Sequence, residues 1–180
     1  MRFFRWVTGI VIALALLMGG IGMLLSPKFM VTRNIVVNAA PDRVYALVED
    51  PRKWKEWAVW HQRDPNMGIT YTGLERGVER GTGAGWSWVS KSEGEGRMKF
   101  TSAEPGRRLS YELYFADFDA TSQGELRFAA AGLGTKVTWI INGDMGGNPF
   151  FRWMTLFADG LMGRDFDNSL VRLKALAEKG

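Results

Sequence analysis

Apolar residues in the last thirty positions of the chain recur at the spacing of an α-helix. Met162, Phe166, Leu170, Leu173 and Ala177 follow one another at steps of four, four, three and four. Such steps place side chains in one stripe, and charged residues occupy the opposite side. The pattern predicts a long amphipathic helix from about Pro149 to Glu178, whose apolar stripe needs a partner surface.

Between residues 67 and 143 the apolar pattern changes to a period of two, which is typical of half-buried strands. Alternating runs occupy 69–71, 86–88, 96–103, 109–115, 126–130 and 137–141. Short glycine-containing turns join several of them, so the strands are predicted to be antiparallel. The run Val31–Asn38 is also alternating and rich in β-branched residues, and it adds a first strand.

Two short helices are predicted between the first strand and the others. Pro41 suits the first turn of one, which ends near Asp50, and Trp54 and Trp57 share a face of the other. The predicted order is strand, two short helices, six strands and a long helix. We therefore expect an α+β fold in which an antiparallel sheet of about seven strands curves around the C-terminal helix.

A 19-residue stretch without charge, Val7–Leu25, follows the basic residues Arg2 and Arg5. It is long enough to cross the hydrocarbon core of a bilayer as a helix. A cleaved signal peptide is the alternative, but no A-x-A-like site ends the stretch. We expect residues 1–28 to be an uncleaved transmembrane anchor and residues 29–180 to form one domain. The arginines favour a cytoplasmic N-terminus, with the domain periplasmic or extracellular.

Composition narrows the possible chemistry. The absence of Cys excludes disulfides, thiol catalysis and Cys-ligated zinc, and a single histidine, His61, excludes multi-histidine metal sites. No metal or cofactor is therefore expected. Although the chain is basic, 20 basic residues face 19 acidic ones after Lys28, so no nucleic-acid partner is expected. Eight tryptophans predict a large aromatic core or an apolar cavity.

A family resemblance rests on five separated segments that occur in order. They are Ile35–Val48, Trp54–Trp57, Gly94–Met98, Gly134–Trp139 and Asp165–Lys174. From about Met30 onward the chain resembles the START-like (SRPBCC) superfamily, and within it the bacterial polyketide cyclase/dehydrase-like group. The resemblance implies a helix-grip fold, in which a curved sheet surrounds the C-terminal helix and an apolar cavity lies between them. It specifies little about activity, because the superfamily includes cyclases, lipid carriers and proteins of no known activity.

Large apolar side chains are expected to face the space between sheet and helix. The candidates are Trp57, Trp60, Trp86, Trp88, Met98, Phe100, Trp139, Phe157, Met162 and Phe166. They either line a ligand cavity or fill the space as core, and the sequence leaves both interpretations open. The aromatic residues between Phe150 and Phe157 exceed what one stripe can bury, so we expect some of them on the surface, near the anchor.

The lone histidine is the candidate catalytic residue. His61 lies in a predicted loop, and Asp64 or Glu56 is close enough in sequence to orient it as a general base. A surface loop histidine without a catalytic role is the preferred interpretation.

Three other polar or glycine-rich features have simple structural interpretations. Glu93 and Glu95 are interpreted as residues of a solvated hairpin, with ordinary ion pairing to the flanking Lys91 and Arg97. The stretch 77–85 lacks the spacing of a phosphate loop, so it is interpreted as a link between strands that could act as a lid. Gly160 and Gly163 cost the helix about 1 kcal/mol each, and they leave room for a ligand or for close backbone approach.

Three functions are compatible with these features. The preferred one is non-catalytic binding of a hydrophobic small molecule or lipid between sheet and helix, in a membrane-anchored domain. An alternative is a cyclase or dehydratase acting on an apolar polyketide-like substrate, with His61 as acid/base and Tyr71 or Tyr111 assisting. A second alternative is a membrane-proximal protein-interaction module whose interior is filled.

Overall fold

The computed structural model describes residues 2–179. Met1, in the predicted anchor, and Gly180, in the predicted domain, lie outside the described residues. The strands are β1 (Lys28–Val37), β2 (Gly68–Thr72), β3 (Gly85–Ser90), β4 (Gly94–Glu104), β5 (Arg108–Phe115), β6 (Ala120–Ala131) and β7 (Gly134–Asp144). The helices are α1 (Arg2–Leu24), α2 (Pro41–Tyr45), α3 (Trp54–Trp57), α4 (Val59–Arg63), α5 (Pro149–Arg152) and α6 (Ala158–Ala177).

The seven strands form one antiparallel sheet in the order β1-β7-β6-β5-β4-β3-β2. Strands β2 to β7 pair sequentially, whereas β1 pairs with β7 over its whole length, from Lys28 opposite Asp144 to Val37 opposite Thr135. This arrangement confirms the antiparallel sheet that the period-two pattern predicts. The long segment between β1 and β2 carries the short helices α2, α3 and α4.

Helix α6 packs against the sheet through the predicted stripe. Phe166, Leu170, Leu173 and Ala177 are buried, and Met162 is half-buried. The predicted single helix from Pro149 is nevertheless divided, because α5 and a 3₁₀ turn (Trp153–Leu156) precede α6 and pack against α1. The aromatic residues of this segment therefore leave the α6 stripe and contact a different partner.

The short helices bury two indoles at the centre of the domain. Six aromatic rings surround the ring of Trp54 at centroid distances of 4.5–6.3 Å. The indole N–H of Trp54 donates to the carbonyl of Val48 at 2.8 Å, and that of Trp57 donates to the carbonyl of Leu47 at 3.0 Å. Both indoles are thus buried with their polar atom paired, as large aromatic residues require.

A charged side chain on β1 fixes the first half of α6. The Arg33 guanidinium donates to both Asp159 carboxylate oxygens, at 2.8 and 2.9 Å, and to Asp167 at 3.0 Å. It crosses the helix at Gly163, where a Cβ atom would overlap it. Gly163 therefore makes room for an ion-pair cluster, whereas nothing lies within 4 Å of the Cβ position of Gly160.

Helix α1 is the one helix among residues 2–179 that is long and apolar enough to cross a membrane, over Phe3–Leu24. From Phe3 to Leu24 its residues are exposed except Gly19 and Gly22, which lie against the segment that begins at Pro149. A signal sequence shares this length and composition. The structure thus shows that this stretch is helical, and its assignment as a membrane anchor stays a proposal.

The two α6 glycines provide a matched test of the Arg33 contact. Gly160→Ala adds a methyl group in open space, so it should raise the free energy of unfolding by up to about 1 kcal/mol through helix propensity. Gly163→Ala adds the same group against the Arg33 guanidinium, and overpacking should leave it at least about 1 kcal/mol less stable than Gly160→Ala. Urea unfolding of the full chain in detergent measures both. Equal gains from the two variants would contradict the placement of Arg33, and an Arg33→Met background should reduce the difference.

Candidate functional site: an apolar cavity beside the aromatic core

The space between the sheet and α6 is not completely filled. A cavity of about 120 Å³ lies between α4, one end of the sheet and the first half of α6. It is lined by Trp60, Arg63, Trp86, Trp88, Glu93, Met98, Tyr111, Leu113, Phe115, Ile141, Met162, Asp165 and Phe166. An apolar cavity of about 150 Å³ stays dry and holds benzene, so this space fits a small ring or a short chain segment.

The structure brings six of the ten sequence candidates to the cavity wall. They are Trp60, Trp86, Trp88, Met98, Met162 and Phe166. Trp57, Phe100 and Trp139 lie in the core behind this wall and are fully buried among other side chains. The cavity interpretation therefore applies to the six wall residues, and the core interpretation applies to the three residues behind them.

Phe157 lies outside the cavity, with 61% of its surface exposed. The sequence prediction places Phe157 inward because it assumes one helix from Pro149 to Glu178. Because α6 begins at Ala158 and the chain before it turns toward α1, Phe157 is not on the buried stripe.

Seven wall residues are absent from the sequence candidates for the cavity. Tyr111, Leu113 and Phe115 share one face of β5, and Ile141 lies on the buried face of β7, so their period-two alternation was a usable signal. Arg63, Glu93 and Asp165 carried no such signal. They come from distant parts of the chain and meet only in the folded protein.

These three charged residues form an ion-pair cluster on the polar side of the cavity. The Arg63 guanidinium donates to both Glu93 carboxylate oxygens at 2.8 Å, and to the Asp165 oxygens at 2.7 and 2.8 Å. The cluster joins α4, the β3–β4 hairpin and α6. Glu93 was expected to pair with sequence neighbours in solvent, but its side chain is largely buried against Arg63.

The charge of this cluster affects which ligands the cavity can accept. Two carboxylates surround one guanidinium, which leaves a formal charge of −1, and their hydrogen bonds raise the pKa of Arg63 above its ordinary value. Since the donors of Arg63 are already paired with carboxylates, an anionic ligand would have to displace one of them. The cluster therefore disfavours anionic ligands.

Tyr111 supplies one polar group inside the apolar wall. Its hydroxyl oxygen accepts the indole N–H of Trp139 at 2.7 Å, and burial raises the pKa of Tyr111, so the hydroxyl stays protonated. Among residues 2–179 nothing accepts the hydrogen of that hydroxyl. The Tyr111 hydroxyl therefore keeps its own hydrogen available for donation.

His61 lies in helix α4 rather than in a loop, and its side chain is 8% exposed. It packs between the rings of Trp60 and Trp86, at 6.3 and 6.1 Å, and does not line the cavity. Neither ring nitrogen has a hydrogen-bond partner within the described part of the chain. The carboxylate of Asp64 bonds Ser90 and Asn66 instead. The orienting contact that a histidine base needs is therefore not formed.

Two other sequence candidates lie away from the cavity wall. Tyr71, on β2, is partly buried against the core and is not among the residues that line the cavity. The glycine-rich link between β2 and β3 is fixed by backbone bonds, from Gly81 to the carbonyl of Glu49 and from Gly83 to that of Phe100. None of its residues lines the cavity, so the position expected of a lid is not observed.

A family model described as "Polyketide cyclase / dehydrase and lipid transport" matches residues 28–178. No curated protein sequence matches the chain. The family match covers the whole sheet and α6 and begins at Lys28, the first residue of β1.

Several solved structures are similar to this one. Truncated norcoclaurine synthase from Thalictrum flavum shares 11% identity at a TM-score of 0.62, over 85% of this chain and 95% of that chain. Protein CV1439 from Chromobacterium violaceum shares 17% identity at 0.59, over 84% and 98%. A Thermobifida fusca protein shares 17% identity at 0.63, over 82% and 92%. At these identities the likeness shows the fold, and it confirms the helix-grip architecture.

The buried histidine gives a test by pH. Burial lowers the pKa of His61 to about 4, from an ordinary value of 6.5, so the unfolded chain binds a proton there before the folded chain does. The contribution of His61 to stability is present above about pH 6.5 and is lost as the pH falls toward about 4, on the order of 2–3 kcal/mol in all.

His61→Phe should remove this dependence, because phenylalanine suits the aromatic surroundings and does not titrate. The unfolding free energies of the wild-type and variant proteins are measured across this pH range, and one is subtracted from the other. The contributions of the carboxylates are common to both proteins, so they cancel in this difference. His61 is the one histidine of the chain, which makes the comparison clean. A difference that stays constant with pH would show that His61 is solvated.

Proposed function

The chain belongs to the polyketide cyclase / dehydrase and lipid transport family, and we propose that it binds a small, neutral, hydrophobic molecule in the cavity beside α6, without catalysing a reaction. The observation that carries this proposal is the cavity itself, whose wall is built mainly from aromatic and aliphatic side chains. A ligand there would be stabilised by burial, at about 25 cal/mol for each Å² of apolar surface removed from water.

The size of the cavity limits what it can enclose. At about 120 Å³ it is smaller than the roughly 300–1,000 Å³ of pockets that hold drug-sized ligands. The proposed ligand is therefore a ring-sized molecule, or the end of a longer apolar chain that extends past the Arg63–Glu93–Asp165 cluster. A complete two-chain lipid does not fit without movement of the walls.

Two polar features favour a particular ligand chemistry. The cluster around Arg63 disfavours anions, and the Tyr111 hydroxyl offers one hydrogen-bond donor. A neutral molecule with a carbonyl or ether oxygen satisfies both. The ligand class we propose is thus an apolar compound with a single acceptor group.

Membrane attachment is the second part of the proposal. The length and apolarity of α1 support an uncleaved anchor with a cytoplasmic N-terminus, which would place the domain in the periplasm or outside the cell. The catalytic alternative receives no support from the position of His61, which lies outside the cavity wall and lacks an orienting carboxylate among residues 2–179. The protein-interaction alternative required a filled interior, and the cavity does not favour it.

Filling the cavity should abolish binding. Met162→Trp puts an indole into a space of about 120 Å³, and we expect ligand affinity to fall at least about tenfold, which is 1.4 kcal/mol. Val171→Trp adds the same side chain at an exposed position of α6 and should leave binding unchanged. Native mass spectrometry of co-purified ligand and thermal shifts with small aromatic compounds provide the measurement. An empty wild-type protein that no apolar compound stabilises would contradict the proposal.

The Tyr111 donor can be tested with a matched pair of ligands. The wild-type protein should bind benzaldehyde about fivefold more tightly than toluene, because one hydrogen bond contributes about 1 kcal/mol. Tyr111→Phe should remove this preference, even though it also leaves the indole N–H of Trp139 without its acceptor. Comparing the two ligands within each protein cancels the loss of stability. An unchanged preference in the variant would exclude Tyr111 as the donor.

A further inference from the structure

The segment from Pro149 to Phe157, which we call the aromatic segment, lies outside the core of the domain. Its α5 helix is capped by Asn148, whose side chain accepts the backbone N–H of Phe150 at 2.9 Å. Four large apolar side chains of the segment are exposed: Phe150, Phe151, Leu156 and Phe157. Leu161, in the first turns of α6, is exposed next to them. Such a patch on a folded surface indicates an interaction site.

This patch is continuous with the C-terminal end of α1. The indole N–H of Trp153 donates to the carbonyl of Met18 at 3.0 Å, and the Arg152 guanidinium donates to the carbonyl of Met23 at 3.0 Å. Gly22 allows the backbone at Pro149 to approach so closely that a Cβ atom would overlap it. The aromatic segment is therefore fixed to α1 by hydrogen bonds and close packing, and its position follows that of α1.

The contact with Met18 sets how deep the aromatic segment would lie. Met18 precedes Leu25, the end of the apolar run, by seven residues. At about 1.5 Å per residue, that is about 10 Å along the helix axis. Interfacial helices bury their apolar face about 5–10 Å into the boundary between headgroups and acyl chains. If α1 crosses a bilayer, the exposed aromatic side chains therefore lie at the depth of that boundary.

The charges of the aromatic segment indicate which lipids it would contact. Arg152 is the one charged residue between Pro149 and Phe157. Its guanidinium already donates to carbonyls at the end of α1, so it is not directed toward acidic headgroups. Apolar burial would then account for contact with the bilayer, and anionic lipid would not be required.

We propose that the aromatic segment is a second membrane-binding element, which lies in the interface of the leaflet at the C-terminal end of α1. This inference rests on the anchoring part of the proposed function. It also gives the domain an orientation. The start of α6, at Ala158, is held against the leaflet, and the cavity residue Met162 follows four residues later. A neutral apolar ligand would thus be concentrated near the cavity by the lipid itself.

The absence of cysteine allows a direct test with single labels. Phe151→Cys and Phe157→Cys replace exposed side chains, and each receives a nitroxide in the full chain, reconstituted into phosphatidylcholine bilayers. Collisional relaxation by oxygen reports lipid, and relaxation by a water-soluble nickel chelate reports solvent. Leu14→Cys, in the middle of α1, is the lipid control. Leu133→Cys, in the fully exposed β6–β7 turn, is the water control.

The proposal requires the labels at 151 and 157 to lie between the two controls, with higher accessibility to oxygen and lower accessibility to nickel than the label at 133. Adding phosphatidylglycerol or salt should not change either value. Labels at 151 and 157 that match Leu133 would overturn the proposal and leave the anchor intact. Labels shielded from both reagents would overturn it in favour of a second copy of the chain or another protein on this surface.

Failure of the anchor gives a different result. In that case the label at 14 would also be accessible to nickel, and the membrane-binding element would be rejected together with the transmembrane assignment. Ligand binding in the cavity is measured independently, with the Met162→Trp and Val171→Trp pair. The two failures are therefore distinguishable.

Discussion

Burying the indole of Trp54 with its N–H paired is the constraint on which the interior of the domain depends. The ring is fully buried, and its N–H bonds the carbonyl of Val48, six residues earlier in the chain. The chain between them must therefore fold back, and the Asp50 carboxylate, which accepts the backbone N–H of Arg52, holds that turn. A buried donor without a partner costs about 1–3 kcal/mol, so this turn is needed as much as the ring itself.

The position of Trp54 also explains why the cavity is small and where it lies. Its ring and the rings of Trp57, Trp139 and Phe166 occupy the middle of the space between sheet and helix, with Phe166 stacked on Trp139 at 4.0 Å. The cavity lies beside these rings, toward β3 and α4. In this domain the extent of the aromatic core therefore limits the volume that is left for a ligand.

Periodicity predicts the architecture because the residues that a helix or strand buries repeat at the period of that element. The alternation of Leu109, Tyr111 and Leu113 and the stripe ending at Ala177 were sufficient for sheet and helix. Pairings between distant residues carry no such pattern. Arg63 meets Glu93 and Asp165, which lie 30 and 102 positions away, and Phe157 is exposed because the preceding residues pack on α1. Five of the six candidates at the cavity wall lie on faces that periodicity identifies, and Trp60, from a predicted loop, is the exception. The polar residues of the site could not be found this way.

The contacts around the cavity also indicate which wall is easier to move. Asp165 and Phe166 are adjacent on α6, and one pairs with Arg63 while the other stacks on Trp139, so a rotation of α6 would break both contacts. Arg33 adds two further ion pairs to the same helix. The β3–β4 hairpin is joined to α4 by Glu93 and by the bond from Ser90 to Asp64. Moving α6 breaks more of these contacts than moving the hairpin does, so the hairpin is the easier wall to move. A ligand longer than the cavity would therefore emerge beside Glu93, with α6 remaining in place.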